Sequence, residues 1–276
     1  MADELDNYYE TILELTKQAG KLVRDRLTNK KNVEEKDADI DLVTETDKEV
    51  EELLIKSLAK KYPSHKFIGE ETAASGKKQE LTADPTWIID PVDGTMNFVH
   101  GFPHCCICIG LYINFEPEIG IIYNPSLEQL FTSRKGKGAY LNGKRISVSG
   151  QTELNKALIM VESGTSRDEE KMRVFKANQD KLIPLIHGYR TLGSAGLDMA
   201  MVALGCADAY FEFGPHAWDF AAGTLLIREA GGVVIDPSGG PFDVLSRRCL
   251  AASSQELADA IIKEIVQLYP KPRDDE

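Results

Sequence analysis

Long apolar stretches, positive charge and cysteine are all in short supply in this chain. The longest uninterrupted apolar run is residues 105–113, far short of the ~18 residues that a membrane-spanning helix requires. Lysine and arginine total 32 against 44 aspartates and glutamates, a net charge of −12, and the longest basic runs are dipeptides. Nucleic acid and anionic membrane are therefore excluded as partners, since both demand a segregated basic surface. The five cysteines are an odd number, three of them crowded into 105–108, and they form no evenly spaced framework. That rules out a secreted disulfide scaffold. Cys105 and Cys108 make one CxxC, but with no second CxxC and no thioredoxin-like context they read as buried strand thiols. No basic or apolar leader opens the chain, and a cytoplasmic protein is expected. Repeats, low-complexity tracts and linker-like segments are missing as well. The expectation is one catalytic domain over 1–276, built as two directly packed lobes of about 1–150 and 151–276.

What remains is an ordinary globular composition, 42% apolar and 28% charged, ample for a buried core. Apolar residues recur at Leu5, Tyr8, Ile12, Leu15, Ala19, Leu22 and Leu27, the spacing of an amphipathic helix. A second helix is expected from the Thr44 and Thr46 caps to Tyr62, with Thr46 and Glu49 fitting a capping box. Residues 34–52 hold ten acids against two lysines; helix-start charge and a solvated face account for most of that excess. Strands are expected at 66–69, 86–90, 105–113, 119–123 and 129–133, with a hairpin turn at Asn142-Gly143. Further strands fall at 157–161, 209–213, 233–235 and 249–252. They alternate with helices near 169–178, 194–204, 218–230 and 255–268. This pattern is α/β (α+β) with layered sheets.

The chemistry concentrates in WIIDPVDGTMNF at 87–98. Asp90 ends an apolar strand, Pro91 is expected to stop the ladder, and Asp93-Gly94-Thr95 supplies a turn into a short helix. Strand ends of α/β sheets are where ligands bind. Two carboxylates converging across a stiff turn repel and raise one another's pKa unless a cation lies between them. Mg²⁺ suits an oxygen-only ligand set completed by substrate phosphate, and N–H groups at Gly94 and Thr95 would cradle that phosphate. Two further phrases carry acids: FIGEE at 67–71, with Glu70 just past a strand, and WDFAAG at 218–223, with Asp219 at a helix start. Alone, Asp219 reads as an N-cap and Glu70 as surface charge. Their weight comes from company.

WIIDPVDGTMNF together with WDFAAGTLLIREAGG, in this order and spacing, resembles the paired signature of the inositol monophosphatase family. DLVTETD, FIGEE and GPFDVLSRR extend the resemblance over nearly the whole chain. It implies a layered αβαβα sandwich of the inositol monophosphatase and fructose-bisphosphatase type. It also implies Mg²⁺-dependent hydrolysis of myo-inositol monophosphates by a water activated between two metals, feeding inositol recycling and phosphatidylinositol signalling. Carried residue by residue, Glu70, Asp90 and the Val92 carbonyl resemble ligands of a first Mg²⁺. Asp90, Asp93 and Asp219 resemble those of a second, and a third weaker ion near Glu70 is seen in relatives. Thr95, bonded to Asp47, is similar to the residue that orients the attacking water. The phosphate would lie on Gly94 and Thr95, and the ring on Asp93, Gly193, Ser194, Ala195, Glu212 and Asp219. Lys36 falls near the site without an assigned role. Of the scattered histidines, His216 stands near the substrate mouth. Lithium sensitivity and a homodimer are implied by the resemblance alone.

Three other readings compete with this one. The haloacid-dehalogenase phosphatases also place an Asp before DGT, but their two acids are two apart, whereas here they are three apart with Pro91 between. A calcium loop at Asp37, Asp39 and Asp41 fails because Leu42 and Lys48 stand where Gly and Glu are needed. Within the family, sugar-phosphate and bisphosphate-nucleotide phosphatases share the metal chemistry and remain alternatives.

Overall fold

A computed structural model describes residues 2–27, 29, 33–35, 42–76 and 79–276. Lys36 and the Asp37, Asp39 and Asp41 run fall outside the described residues. The first half of the chain is α1 (Ala2–Arg26), β1 (Val33–Glu35), β2 (Leu42–Thr44), α2 (Glu45–Lys61), β3 (Lys66–Gly69), α3 (Glu70–Ala74), β4 (Thr86–Asp93) and α4 (Thr95–His100). A meander follows: β5 (Cys106–Ile113), β6 (Glu116–Asn124), β7 (Gln129–Arg134), β8 (Gly138–Leu141) and β9 (Lys144–Ile146). Then come β10 (Leu158–Val161), α5 (Glu169–Leu182), β11 (Gly188–Arg190), α6 (Ala195–Ala203) and β12 (Ala209–Phe213). The chain closes with α7 (Ala217–Glu229), β13 (Val233–Ile235), β14 (Arg248–Ala252) and α8 (Gln255–Glu264).

Strands β3 to β9 form a seven-stranded sheet in chain order, and a five-stranded sheet runs β11-β10-β12-β14-β13. The period-two alternation of strand residues divides their side chains between two cores. Trp87, Ile89, Ile107, Ile109 and Ile121 face one way, onto Ile12, Val23, Val50, Leu54 and Leu58 of α1 and α2. Ile88, Cys106, Cys108 and Ile122 face the other way, onto Leu197, Met199, Phe220 and Leu226 of α6 and α7. That middle helix layer also packs on Tyr210, Cys249 and Ala251 of the second sheet. The far face of the second sheet meets Val174, Leu182, Leu257 and Ile261 of α5 and α8. The layers run αβαβα, as the resemblance implies.

Several expectations need correction. Helix α2 is capped by Thr44, with Asp47 as the reciprocal N3 partner; the Thr46 and Glu49 pairing is two residues out of register. Pro91 does not stop the ladder: β4 continues to Asp93 through an irregularity between Asp90 and Asp93, because a bulge accommodates the missing N–H. The last helix ends at Glu264 rather than 268. The short helix expected after Asp93-Gly94-Thr95 is α4, whereas α3 and β11 have too few residues to show a period and are not legible in the sequence.

Candidate active site

In a regular strand, residues three apart point to opposite faces. Asp90 pairs with Cys108 and Asp93 with Cys106, so two residues of β4, Pro91 and Val92, oppose only Ile107. The extra residue returns Asp93 to the face of Asp90, and both are almost fully buried, at 2% and 7% exposure. Asp219, in the first turn of α7, completes the group. One carboxylate oxygen from each of Asp90, Asp93 and Asp219 lies within 4.8 Å of the others. Asp219 also accepts from the His216 N–H at 2.6 Å, which fixes its rotamer.

This is an unbalanced set of negative charges. Burial, then the charges of Glu70, Asp93 and Asp219, pushes the Asp90 carboxyl well above the usual range. Burial, then Asp93 and Glu70, does the same to Asp219. An oxygen-only donor set held at the cost of mutual repulsion fits a hard divalent cation. Asp93 is anchored from behind: its Oδ2 accepts from Ser194 Oγ at 2.5 Å, Gly196 N at 2.7 Å and Cys106 Sγ at 3.5 Å. Ser194 and Gly196 belong to the start of α6, so β4 and α6 meet at this carboxylate.

Glu70 stands outside the tight group, at the start of α3, yet its charge raises Asp90, Asp93 and Asp219 alike. Its helix is held by Glu51 of α2, which accepts from the N–H groups of Glu71 at 2.7 Å and Thr72 at 2.9 Å. Thr95 Oγ1 lies 3.2 Å from Asp47 Oδ1 and 3.0 Å from the Val92 carbonyl. The other Asp47 oxygen takes Thr44 N at 3.0 Å and the Thr44 hydroxyl. Burial lifts the Asp47 carboxyl to about 6. Gly94, between Asp93 and Thr95, has φ +83, and a Cβ there would stand 2.9 Å from the carbonyls of both Gly193 and His104. Only glycine fits this turn.

On the opposite wall, Glu162 Oε1 accepts from the N–H groups of Leu192 at 2.5 Å and Gly193 at 2.9 Å. Asn97 Nδ2 donates to the Leu192 and His104 carbonyls, both at 2.7 Å. The turn through Gly193, Ser194 and Ala195 is thereby tied to the β4–α4 turn. Glu212 of β12 accepts from Tyr210 Oη at 2.7 Å. Burial raises Glu212 to about 7 against the attraction of Lys171. Lys171 Nζ and Glu212 Oε1 fall 2.6 and 3.1 Å from the same point beside Gly164. They are neighbours without being an ion pair. His216 stacks on Trp218 with centroids 4.5 Å apart and pairs with Asp274 at 2.7 Å. Asp274 also accepts from Ala217 N at 2.7 Å, which holds the start of α7.

The structure thus brings Asp47, Glu70, Asp90, Val92, Asp93, Gly94, Thr95, Ser194, Gly193, Ala195 and Asp219 into one connected network, with Glu212 on its far wall. Sequence reasoning missed Glu51, Glu162, Lys171 and Asp274. Each acts across the fold, and none lies in a motif that spacing could expose.

The sequence pattern of the inositol monophosphatase family matches residues 4–269. Inositol monophosphatase 1 of Bos taurus is 49% identical over 277 aligned residues, covering 100% of both chains. The solved Thermotoga maritima IMPase is 30% identical, with a TM-score of 0.83, covering 93% of this chain and 96% of its own. An IMPase/NADP phosphatase solved with Mg²⁺ and phosphate is 25% identical, with a TM-score of 0.81, covering 94% and 95%.

Proposed function

The chain belongs to the inositol monophosphatase family and hydrolyses inositol monophosphates, and we propose that it does so with Mg²⁺ held by Glu70, Asp90, the Val92 carbonyl, Asp93 and Asp219. The convergence of Asp90, Asp93 and Asp219 within 4.8 Å carries this reading, and the relative solved with Mg²⁺ and phosphate supports it. Two or three such ions would supply an activated water on one side of phosphorus and charge neutralisation of the leaving oxygen on the other. The remaining steps belong to the protein. With its carboxyl at about 6, Asp47 is mainly ionised at neutral pH and accepts a hydrogen bond from the Thr95 hydroxyl. That leaves Thr95 Oγ1 a lone pair to orient the attacking water. The N–H groups of Gly94 and Thr95 face the phosphate, and Asp93, Glu212, Asp219 and the turn of Gly193, Ser194 and Ala195 receive the ring hydroxyls. Positioning and charge stabilisation then provide most of the catalysis.

A homodimer, a cytoplasmic location and inhibition by lithium accompany family membership as further parts of the proposal. Among the described residues no helix is long and apolar enough to cross a membrane. The testing experiment is a kcat/KM panel of inositol monophosphates, sugar phosphates and nucleotide mono- and bisphosphates in Mg²⁺. Inositol 1-phosphate is expected at the top; preference for a bisphosphate nucleotide would replace this substrate assignment.

A further inference from the structure

The crowded cysteines of β5 are not absorbed by the reaction. The CxxC pair is split by the sheet: Cys105 faces the core beneath α1 and α2, whereas Cys106 and Cys108 face the core beneath α6 and α7. Cys106 and Cys108 sit directly behind the active site, with their Sγ atoms 3.7 Å apart. Cys106 Sγ lies 3.5 Å from Asp93 Oδ2, and one ligand atom from each of Asp93, Cys106 and Cys108 falls within 4.8 Å of the others. Gly196 lets the three converge on its backbone: a Cβ there would stand 2.3 Å from Cys108 Sγ, 2.9 Å from Asp93 Oδ2 and 3.1 Å from Cys106 Sγ, so any larger residue would push them apart.

These separations are those of a tetrahedral thiolate site. With metal–sulfur bonds of about 2.3 Å and metal–oxygen bonds of about 2.0–2.2 Å, tetrahedral angles place sulfurs about 3.8 Å apart and sulfur about 3.5 Å from oxygen. The ligand set also differs in kind from that of the catalytic ions. Two thiolates and one carboxylate select borderline and soft cations, whereas the all-oxygen cluster selects Mg²⁺.

We propose that Asp93, Cys106 and Cys108 form a second cation site, specific for zinc-group divalent ions, which inhibits the enzyme by sharing the Asp93 carboxylate. The ion enters from the cleft past Asp93, the one member with measurable exposure, 7% against 0% for both thiols. It replaces the two thiol protons, which leave to solvent. It also replaces the Cys106 hydrogen bond to Asp93 and draws that carboxylate's charge away from the Mg²⁺ cluster. Ser194 Oγ is not a fourth ligand, since at 2.5 Å from Asp93 Oδ2 it is too close for a tetrahedral edge, and the protein supplies three ligands. The inhibitory half of the proposal rests on the Mg²⁺ reading above, while the binding half does not.

The test uses the full chain carrying Cys206→Ser, which removes the exposed thiol. Cd²⁺ is titrated in Mg²⁺-free buffer and followed by thiolate-to-cadmium charge-transfer absorbance. One Cd²⁺ per chain with a charge-transfer band is expected. Binding should weaken by about 100-fold or more in Cys106→Ala and in Cys108→Ala, given that even outer partners of metal sites are worth 10–100-fold. Cys105→Ala, on the other core, should bind as the parent does and controls for buried-cysteine truncation. Hydrolysis in fixed Mg²⁺ should fall as Zn²⁺ saturates the site and resist Zn²⁺ in the Cys108→Ala protein, each rate taken against that variant's own Mg²⁺-only rate. Absence of the band, or its persistence in both alanine variants, overturns the site. A band without inhibition overturns the sharing of Asp93. Absence of inositol phosphatase activity in Mg²⁺ alone, with Cd²⁺ binding intact in the separate titration, would instead count against the function proposed above.

Discussion

Replacing Asp219 with asparagine should stabilise the metal-free protein while disabling it. Its carboxylate lies within 4.8 Å of Asp90 and Asp93, where each fully ionised pair repels by about 3.5 kcal/mol at an effective dielectric of about 20. Proton uptake already relieves part of this, since burial and neighbouring charges hold Asp90 and Asp219 well above the ordinary 3.8. The net gain from deleting one charge is therefore about 1–3 kcal/mol near pH 8, with roughly 2–4 °C of melting temperature per kcal/mol for a chain of this size. Asparagine keeps an oxygen for the His216 N–H, so the start of α7 is preserved. The sign with pH follows from linkage. Because the folded carboxyls hold protons more tightly than unfolded ones, metal-free stability rises as pH falls through their folded pKa values, and the asparagine variant should show a shallower slope. The assay is thermal unfolding in EDTA and in Mg²⁺. In Mg²⁺ the parent gains stability in proportion to occupancy, and the variant gains much less. A variant that melts below the parent in EDTA, or gains as much from Mg²⁺, would refute the reasoning.

Three other perturbations probe the neighbouring parts. Thr95→Ala leaves Asp47 Oδ1 without the Thr95 hydroxyl while Oδ2 keeps Thr44, and kcat should fall by roughly 10²–10⁴ with little change in KM; equal loss in both would mean Thr95 only binds. Lys171→Met removes the attraction that holds Glu212 down to about 7, so its carboxyl rises and is more protonated at neutral pH. KM should then increase near pH 7 and recover toward pH 9, and an unchanged KM profile would sever Lys171 from substrate binding. Gly94→Ala forces a side chain into φ +83 and onto two carbonyls at 2.9 Å. Left-handed backbone costs about 1–2 kcal/mol before any clash, and titration with inorganic phosphate should show weakened binding; full affinity would mean the turn does not cradle the phosphate.

How far the site could be read from sequence varies residue by residue. Asp90, Asp93 and Asp219 announced themselves by lying at a strand end and a helix start in phrases of fixed spacing. That Asp90 and Asp93 share a face was not legible, because alternation alone sends them apart and the bulge at Pro91 and Val92 brings them back. The α2 capping box was misplaced by two residues, since Thr46 and Glu49 fit the Ser/Thr-x-x-Glu/Gln pattern whereas the N3 partner of Thr44 is an Asp, Asp47. Glu162 and Lys171 reach the site only because β10 and β12 are neighbours and α5 packs on them. Such lateral neighbours leave no local signal. The cysteine pair shows the same effect in reverse, since the CxxC spacing drew notice while the sheet joins Cys106 to Cys108.

Asp90 converges with Asp93 and Asp219 and stands at the centre of the proposed Mg²⁺ site. The most direct measurement is phosphate release from myo-inositol 1-phosphate after EDTA treatment and Mg²⁺ back-titration, in the parent and in Asp90→Asn. The parent should lose its activity in EDTA and regain it with Mg²⁺, whereas Asp90→Asn should stay inactive at every Mg²⁺ concentration. Full activity of Asp90→Asn in saturating Mg²⁺ would contradict the metal assignment.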